Sequence, residues 1–214
     1  MKSAASNLDA IVEGIRAHFV SKNQARERAL PLCREAIRHS ANAIRAVHRG
    51  EFETAQELVD RAAGVLREAK AALRDHPDIF YAGFVHDAQK EFAEASLTLA
   101  LVAGRLMPTP EELGVERAAY LNGMGEVVGE LRRHLLDSLR SGDVGHCEEC
   151  LTVMDDIYSV LVTFDYPDAM TAGLRRTTDS VRGILERTRG DLTLAVRQRD
   201  LERKLGEFEK GLQR

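Results

Sequence analysis

Apolar residues recur at spacings of three and four along most of the chain, which is the period of an α-helix with one buried face. The stretch from 55 to 73 is representative, with apolar residues at positions 55, 58, 59, 62, 66, 69 and 73. No segment alternates apolar and polar residues with enrichment in β-branched side chains. The pattern therefore predicts an all-α fold without a sheet.

Turns containing glycine or proline divide this pattern into about seven helices. Their predicted ranges are 3–20, 22–49, 51–75, 77–106, 115–140, 143–164 and 168–210. Pro31 falls inside the second range and predicts either a kink or the true start of that helix. Asp143 and Asp168 follow turns and are expected to be N-caps. Because no linker separates the helices, residues 1–214 are expected to form a single domain.

Composition narrows the class of protein further. The chain is 44% hydrophobic and only 5% aromatic, with no tryptophan, which is typical of a helical bundle. No apolar run reaches the length of a membrane span, so we expect neither a transmembrane helix nor a signal peptide, and no membrane partner. Three cysteines, an odd number, indicate a reducing cytoplasmic location rather than a disulfide framework.

Five carboxylates lie in two of the predicted helices. Asp87, Glu91 and Glu94 span about 60° of the helix circumference and so share one face. Glu126 and Glu130 are one turn apart. Such a group repels itself unless a cation or a basic partner lies among the acids, and oxygen ligands suit Mg²⁺ or Mn²⁺. The acids therefore predict a metal site.

The alternative is a solvent-exposed strip of salt bridges. Basic residues close enough in sequence to form it are Lys90, Arg132 and Arg133. The second acidic helix also contains Gly123, Gly125 and Gly129. Because each glycine inside a helix costs up to ~1 kcal/mol relative to alanine, these glycines predict a close approach of another helix or of a ligand.

A row of arginines runs along the second predicted helix. Arg34, Arg38, Arg45 and Arg49 lie within about 60° of arc over about 22 Å, and we call them the arginine stripe. Residues 22–50 have seven basic side chains against two acidic ones, so the overall charge of −4 hides a basic segment. Arginine can bind two phosphate oxygens at once. The stripe predicts contact with a nucleic-acid backbone, and an ordinary solvated helix face is the alternative.

One C-x-x-C occurs, in His146-Cys147-Glu148-Glu149-Cys150. A structural zinc site needs four ligands, and the sequence has no second pair of cysteines or histidines at suitable spacing. A redox role would require a strand context that the pattern lacks. The motif therefore predicts two helical cysteines one turn apart, and their role stays open.

The segment AAYLNGMGEVVGELRRHLLDSLRSGD (118–143) resembles the signature of the translin family. TPEELGVE (109–116) is similar to the connector of that family, and FVHDAQKEFAEA (84–95) to its central helix. The resemblance implies a seven-helix, all-α subunit that assembles into a hollow octamer and binds single-stranded RNA or DNA. In the X type of subunit, it further implies that acids on two helices coordinate Mg²⁺ and cut RNA inside the shell.

The same resemblance assigns individual acids. Glu91 and Glu94 match the acid pair of the X-type central helix, and Glu130 matches an acid of the second helix. Glu126 stands where the X type has aspartate, and Asp87 departs from the family spacing. The chain resembles an X-type subunit of prokaryotic, archaeal-like origin that forms a homo-octamer.

Together these features predict a Mg²⁺- or Mn²⁺-dependent endoribonuclease acting on single-stranded RNA inside a homo-oligomer, with DNA as a second binding partner. The predicted catalytic residues are Glu91, Glu94, Glu126 and Glu130, and the predicted metal ligands are Asp87, Glu91, Glu94 and Glu126. The alternatives are a non-catalytic shell that binds RNA or DNA, and a scaffold that binds only proteins. The last helix has an apolar stripe that needs a partner in this chain or in another: Leu174, Val181, Ile184, Leu185, Leu192 and Val196.

Overall fold

The computed structural model describes residues 7–212, and within this range the chain is helical with no strand, as the sequence predicted. Six long helices form the body of the fold, and three one-turn helices lie in the connections. In chain order they are α1 (Leu8–His48), α2 (Phe52–Ala72), α3 (Pro77–Phe80), α4 (Gly83–Val102), α5 (Pro110–Leu113), α6 (Arg117–Ser141), α7 (Val144–Leu161), α8 (Asp168–Thr171) and α9 (Leu174–Leu212).

The two helices predicted at the N-terminus are a single helix, α1, which begins at Leu8 and passes through residues 20–22 without a turn. Residues 3–6 of the predicted first helix lie outside the described residues. Pro31 lies inside α1, so the prediction that it marks a helix start is wrong. Ala29 and Cys33 on either side of it are buried against α2 and α4, and this packing offsets the hydrogen bond that proline removes.

Other predicted boundaries shift for local reasons. Asp143 is an N-cap, as expected, because its side chain accepts a hydrogen bond from the His146 N–H at 3.1 Å. Asp168 is not a cap, because Pro167 occupies that position and Asp168 is the first residue of α8. The predicted helix 168–210 is interrupted at Ala172 and Gly173, which both have positive φ. The predicted helix 77–106 is likewise divided into α3 and α4.

Helix α4 lies at the centre of the fold. It packs against α1 and α2 on one side and against α6 on the other, while α6 also packs against α7 and α9. Phe92 belongs to the core shared with α1 and α2, and Leu97 to the core shared with α6, α7 and α9. Because residues 92–100 are all buried, a charged residue among them requires an explanation, and Glu94 is one.

The apolar stripe of α9 is covered within the same chain. Its buried members, Leu174, Val181, Leu185 and Leu192, join the core formed with α6 and α7. The stripe therefore needs no second subunit and does not bear on oligomerisation. None of the described helices combines the length and the apolar character that crossing a membrane requires.

Candidate metal centre

Three of the five predicted acids converge where α4 crosses α6. Glu91 and Glu94 lie one turn apart on α4, and Glu126 faces them from α6. One carboxylate oxygen of each lies within 4.8 Å of the others. The Glu91 and Glu126 side chains are about one-third exposed, at 29% and 35%, whereas Glu94 is only 8% exposed. The acids thus form a partly enclosed group with an opening to solvent.

Glycine at position 123 allows this convergence. A Cβ there would lie 2.7 Å from the Lys90 carbonyl oxygen and 3.1 Å from the Glu94 backbone nitrogen, so the backbones of α4 and α6 touch at this point. Gly125 likewise leaves room for Thr177 of α9. The predicted close approach is confirmed for both residues. Gly129 has no neighbour within 4 Å of its would-be Cβ, and nothing in the structure explains it.

Lys90 lies among the acids. Its Nζ donates a hydrogen bond to Glu126 Oε1 at 2.6 Å and lies 3.5 Å from Glu91 Oε1. Burial alone would lower the pKa of Lys90, but the hydrogen bond and charge of Glu126, together with Glu91, raise it. One fixed positive charge therefore offsets part of the negative charge of the group. Of the three basic residues considered for a salt-bridge strip, Arg132 binds Asp191 instead, at 2.7 Å.

Glu94 is the acid with the most unusual surroundings. No hydrogen bond or ion pair is made by its carboxylate in the described part of the chain. Burial raises its pKa to about 8, and the charges of Glu126, Glu91 and Glu130 add to this effect. Burial also raises the pKa of Glu91. Without a further cation, Glu94 is therefore protonated at neutral pH, whereas a divalent cation would supply the missing positive partner.

The two other predicted acids lie outside this group. Asp87 is exposed, one turn before Glu91, and acts on it only through charge. Glu130 Oε2 lies 2.5 Å from Nε2 of His48, a buried side chain of α1. Arg133 lies farther from Glu130, at 4.0 Å. Direct coordination by Asp87, and a catalytic role for Glu130, therefore stay predictions.

All four residues of the arginine stripe are exposed, as a phosphate-binding surface requires. They differ in their partners. Arg49 is held by Glu51 through two hydrogen bonds of 2.7 Å, and Arg45 donates to the Asn42 side chain. Arg38 lies 3.6 Å from Glu35. Arg34 and Arg38 are therefore the two members most available to a ligand.

Residues of α9 that sequence reasoning did not select complete the surroundings of the acids. Glu94 and Glu126 open into a surface cavity of about 440 Å³ that is also lined by Arg176, Thr177 and Ser180. A guanidinium and the Ser180 hydroxyl thus line the same shallow space as the carboxylates, whereas the Thr177 hydroxyl donates its proton to Asn122 Oδ1 at 2.7 Å. No local signal in the sequence marks these residues, because they are about fifty positions from Glu126 and only the packing of α9 on α6 brings them together.

Comparison with known proteins identifies one relative by sequence and several solved structures with the same fold. No family model matches the sequence. An uncharacterized protein of Methanocaldococcus jannaschii is 30% identical over 198 residues, which cover 91% of this chain and 87% of that protein.

Solved structures of C3PO, a complex of the translin and translin-associated protein X type, share the fold. AfC3PO, alone and in complex with duplex RNA, is 36% identical with a TM-score of 0.81 over 88% of this chain and 97–98% of its own. Apo-NeC3PO, at 20% identity, matches in fold with a TM-score of 0.72 over 89% of this chain and 97% of its own. Likeness over nearly the full length in sequence and in fold, with the signature at 118–143, shows that the chain belongs to the translin family.

Proposed function

We propose that this protein is a metal-dependent endoribonuclease that acts inside an oligomer of its own subunits. The observation that supports this most is Glu94, a buried carboxyl without a hydrogen-bond partner in residues 7–212, grouped with two further carboxylates at an opening to solvent. The structure of AfC3PO with duplex RNA supports RNA as the class of ligand. RNA strandedness is a variable of the test, because the sequence predicted single-stranded RNA.

Glu91, Glu94 and Glu126 would hold Mg²⁺ or Mn²⁺, since three carboxylates in a half-buried setting fit a hard divalent cation. The cation would supply an acidified water and neutralise the charge on the scissile phosphate. Lys90 holds the Glu126 carboxylate in position through its hydrogen bond. Glu130, which is oriented by His48, is the proposed proton acceptor, because its carboxylate adjoins the group without belonging to it.

The RNA backbone would be held by basic and hydroxyl groups around the acids. Arg176 and Ser180 line the same cavity as Glu94 and would bind phosphate oxygens beside the scissile bond. The arginine stripe would extend this contact along α1, whose C-terminal end reaches the site through the pairing of His48 with Glu130. Contacts of this kind position the nucleic acid without reading its bases, so cleavage should depend only weakly on sequence.

Apolar side chains left exposed on a single subunit support a homo-oligomer. On the N-terminal half of α1 they are Leu8, Ile11, Val12, Ile15, Phe19 and Val20, each 42–61% exposed. On the C-terminal half of α9 they are Leu194, Leu201, Leu205 and Phe208, each 53–70% exposed. Rows of this length along a helix are typical of protein contacts, and a homo-octamer is the assembly that we propose.

A second function is favoured by one observation. Lys90 already pairs with Glu126 and approaches Glu91, so the group is partly neutralised without a metal. An oligomer that binds RNA without cutting it would need no more than this arrangement. The two functions differ in whether the acids are required for anything beyond folding.

Cleavage of end-labelled RNA by the purified full-length protein distinguishes them. Single-stranded and duplex RNA of the same sequence would each be incubated with Mg²⁺, with EDTA, and with the Glu91→Gln variant in Mg²⁺. We expect cutting only by the unchanged protein with metal, and a loss of at least about 100-fold in Glu91→Gln, because a ligand should matter more than its supporting residues. Glu57→Gln, an exposed acid on α2, is the matched control. RNA retained but uncut in every reaction would establish the non-catalytic oligomer.

Measuring RNA binding at several salt concentrations tests whether RNA contacts the arginine stripe. Replacing Arg34 and Arg38 by alanine should weaken RNA binding equally for different sequences and reduce the slope of log K against log salt by about 1–2, since each lost phosphate contact reduces counterion release. Arg61 and Arg67, exposed on α2, provide the control pair. An unchanged slope in the Arg34/Arg38 variant would remove the stripe from the RNA-binding surface.

A further inference from the structure

A second group of possible metal ligands lies where α6 packs against α7. His134 of α6, and His146 and Cys150 of α7, each place one ligand atom within 4.8 Å of the others. Nε2 of His134 lies 2.8 Å from Nε2 of His146, and Sγ of Cys150 lies 3.7 Å from the latter. Their ligand chemistry differs from that of the carboxylates, because they offer two imidazole nitrogens and one sulfur instead of oxygens.

Local structure fixes this arrangement. Helices α6 and α7 are joined by a tight turn at Gly142, whose φ of 84° places it in the left-handed region, so the two helices return alongside each other. Asp143 caps α7 by accepting from the His146 N–H, which holds His146 in the first turn. Cys150 follows one helical turn later on the same face. The three side chains are therefore presented by two regular helices rather than by a mobile loop.

The two cysteines of the C-x-x-C motif have different surroundings. Cys147 is fully buried, and its thiol donates to the backbone carbonyls of Asp143 and Leu135, at 3.0 and 3.4 Å. Among the residues that the structure describes, Cys150 has no such backbone partner, and its sulfur faces His146. The sequence offered no second pair of cysteines or histidines beside the motif, but the structure places one further donor there. It is a histidine on the neighbouring helix, twelve positions before His146.

The separations are close to those of a metal-bound set. With bonds of about 2.0 Å to nitrogen and 2.3 Å to sulfur, a tetrahedral cation sets nitrogen and sulfur ligands about 3.6 Å apart and two nitrogens about 3.3 Å apart. The distance from Cys150 Sγ to His146 Nε2 already agrees, and the distance from Cys150 Sγ to the ligand nitrogen of His134 is no more than 4.8 Å. The two histidines need to separate by about 0.5 Å, a distance that small side-chain rotations provide. His146 is 38% exposed, which leaves a path for a cation from solvent.

Protonation also suits a metal site. Burial, followed by the charges of His146 and His48, lowers the pKa of His134, so its ring is neutral and can offer a lone pair. Glu149 lies 3.5 Å from Nδ1 of His146, where it favours a proton on Nδ1 and leaves Nε2 for a ligand. Burial raises the pKa of the Cys150 thiol to about 11, so a cation must displace the thiol proton on binding.

We propose that His134 Nε2, His146 Nε2 and Cys150 Sγ bind a zinc-class divalent cation, with water as the fourth ligand, and that this cation clips α6 to α7. Imidazole and thiolate ligands prefer zinc and its neighbours in the first transition row over Mg²⁺. On binding, the cation forms bonds to two nitrogens and one sulfur, and the thiol proton passes to solvent. The site is independent of the proposed nuclease activity.

Titration of the EDTA-treated, full-length protein with Co²⁺ tests this site. An excess of Mg²⁺ would be present to occupy the carboxylates. We expect one equivalent of Co²⁺ to give tetrahedral ligand-field bands and a thiolate-to-cobalt charge-transfer band, both displaced by Zn²⁺. Cys150→Ser should abolish the charge-transfer band, whereas the matched Cys147→Ser variant should keep it. No charge-transfer band in the unchanged protein, or its loss only in Cys147→Ser, would overturn the proposal.

A second variant tests the site even if Cys150→Ser does not fold. His134→Gln leaves both cysteines in place and should weaken Co²⁺ binding at least about 10-fold while the far-ultraviolet circular dichroism is unchanged. Zn²⁺ should also raise the melting temperature of the unchanged protein and of Cys147→Ser, but not of His134→Gln. Equal Co²⁺ affinity with and without His134 would exclude this residue as a ligand and overturn the three-residue site.

Discussion

The carboxylates at the α4–α6 crossing and the histidine–cysteine group at the α6–α7 turn lie only two helical turns apart along α6, yet their energetics are opposite. Glu91, Glu94 and Glu126 are like charges that a single lysine only partly offsets. The other group consists of two imidazoles and a thiol, and its two histidines, His134 and His146, already share a hydrogen bond. The first group is costly without a cation and the second is not, so metal removal should affect them differently.

The largest expected effect is the change with pH in the stability of the metal-free protein, and it comes from the carboxylate group. The pKa of Glu94 is about 8 in the folded protein against an ordinary value of 4.5 for a glutamate, because burial disfavours its charged form, so the folded state binds its proton more tightly. Stability from this group is complete below about pH 4.5 and is lost as the pH rises through 8, a change on the order of 3–5 kcal/mol by linkage.

Urea unfolding in EDTA at intervals between pH 4.5 and 8.5 measures this loss. The Glu94→Gln variant is the reference, because it keeps the shape of the side chain and cannot ionise. The difference in unfolding free energy between the two proteins should fall steadily across this range, and Mg²⁺ should restore stability at pH 8 more than at pH 6. A difference that does not vary with pH would mean that Glu94 is not the buried acid described above.

The histidine group should respond with the opposite sign. The pKa of His134 is lowered by burial, so its stabilising contribution is present above about pH 6.5 and is lost as the pH falls through its folded pKa. In EDTA, His134→Gln should therefore remove part of the acid-side loss of stability and leave the alkaline side unchanged. Urea unfolding of this variant between pH 5 and 8 checks the sign.

RNA cleavage should depend on the carboxylate group and not on the histidine–cysteine group. Glu94→Gln should reduce Mg²⁺-dependent RNA cleavage by at least about 100-fold, or about 2.7 kcal/mol of transition-state stabilisation, while the thiolate-to-cobalt band of the second site is unchanged. Cleavage of RNA and Co²⁺ spectra would be measured on one preparation. Loss of both signals together would show that the two groups are coupled through α6 and are not separate sites.

The difference between the groups also shows what the sequence could predict. Glu91 and Glu94 are one turn apart on one helix, so the helical period alone placed them on one face, and the glycines of α6 indicated the close contact that brings Glu126 to them. The all-α class followed from the same periodicity. These features depend on neighbours within one or two turns, where sequence determines geometry directly.

What the sequence could not predict depends on packing between distant segments. Arg176 reaches the acid group only because α9 lies on α6, and Glu130 is paired with a histidine 82 positions away. Cys150 faces His146 on its own helix, and the residue that sequence spacing could not supply is His134 of the preceding helix, which contacts His146. The joining of the first two predicted helices into α1 was also missed, and Pro31 does not mark a helix start because packing on both sides of it offsets its local cost.

The smallest expected change in stability comes from the backbone contact between α4 and α6 that brings the carboxylates together. Gly123→Ala places a Cβ 2.7 Å from the Lys90 carbonyl oxygen, a backbone atom that can move only if α4 moves away from α6. The overpacking should outweigh the gain in helix propensity and destabilise the protein by about 1–2 kcal/mol. Gly129→Ala, on the same helix but with open space around its Cβ, should instead stabilise it by up to about 1 kcal/mol.

Urea unfolding of both glycine variants measures these opposite changes in stability. Titrations with Mg²⁺ and Co²⁺ show whether the carboxylate group or the histidine–cysteine group is disturbed. Displacing α4 from α6 separates Glu94 from Glu126, so Mg²⁺ should stabilise Gly123→Ala less than the unchanged protein. The α6–α7 turn is not part of that contact, so the cobalt spectrum should not change. If Gly123→Ala were as stable as Gly129→Ala, the two helices would have room to spare, and the carboxylates would not be held together by backbone contact.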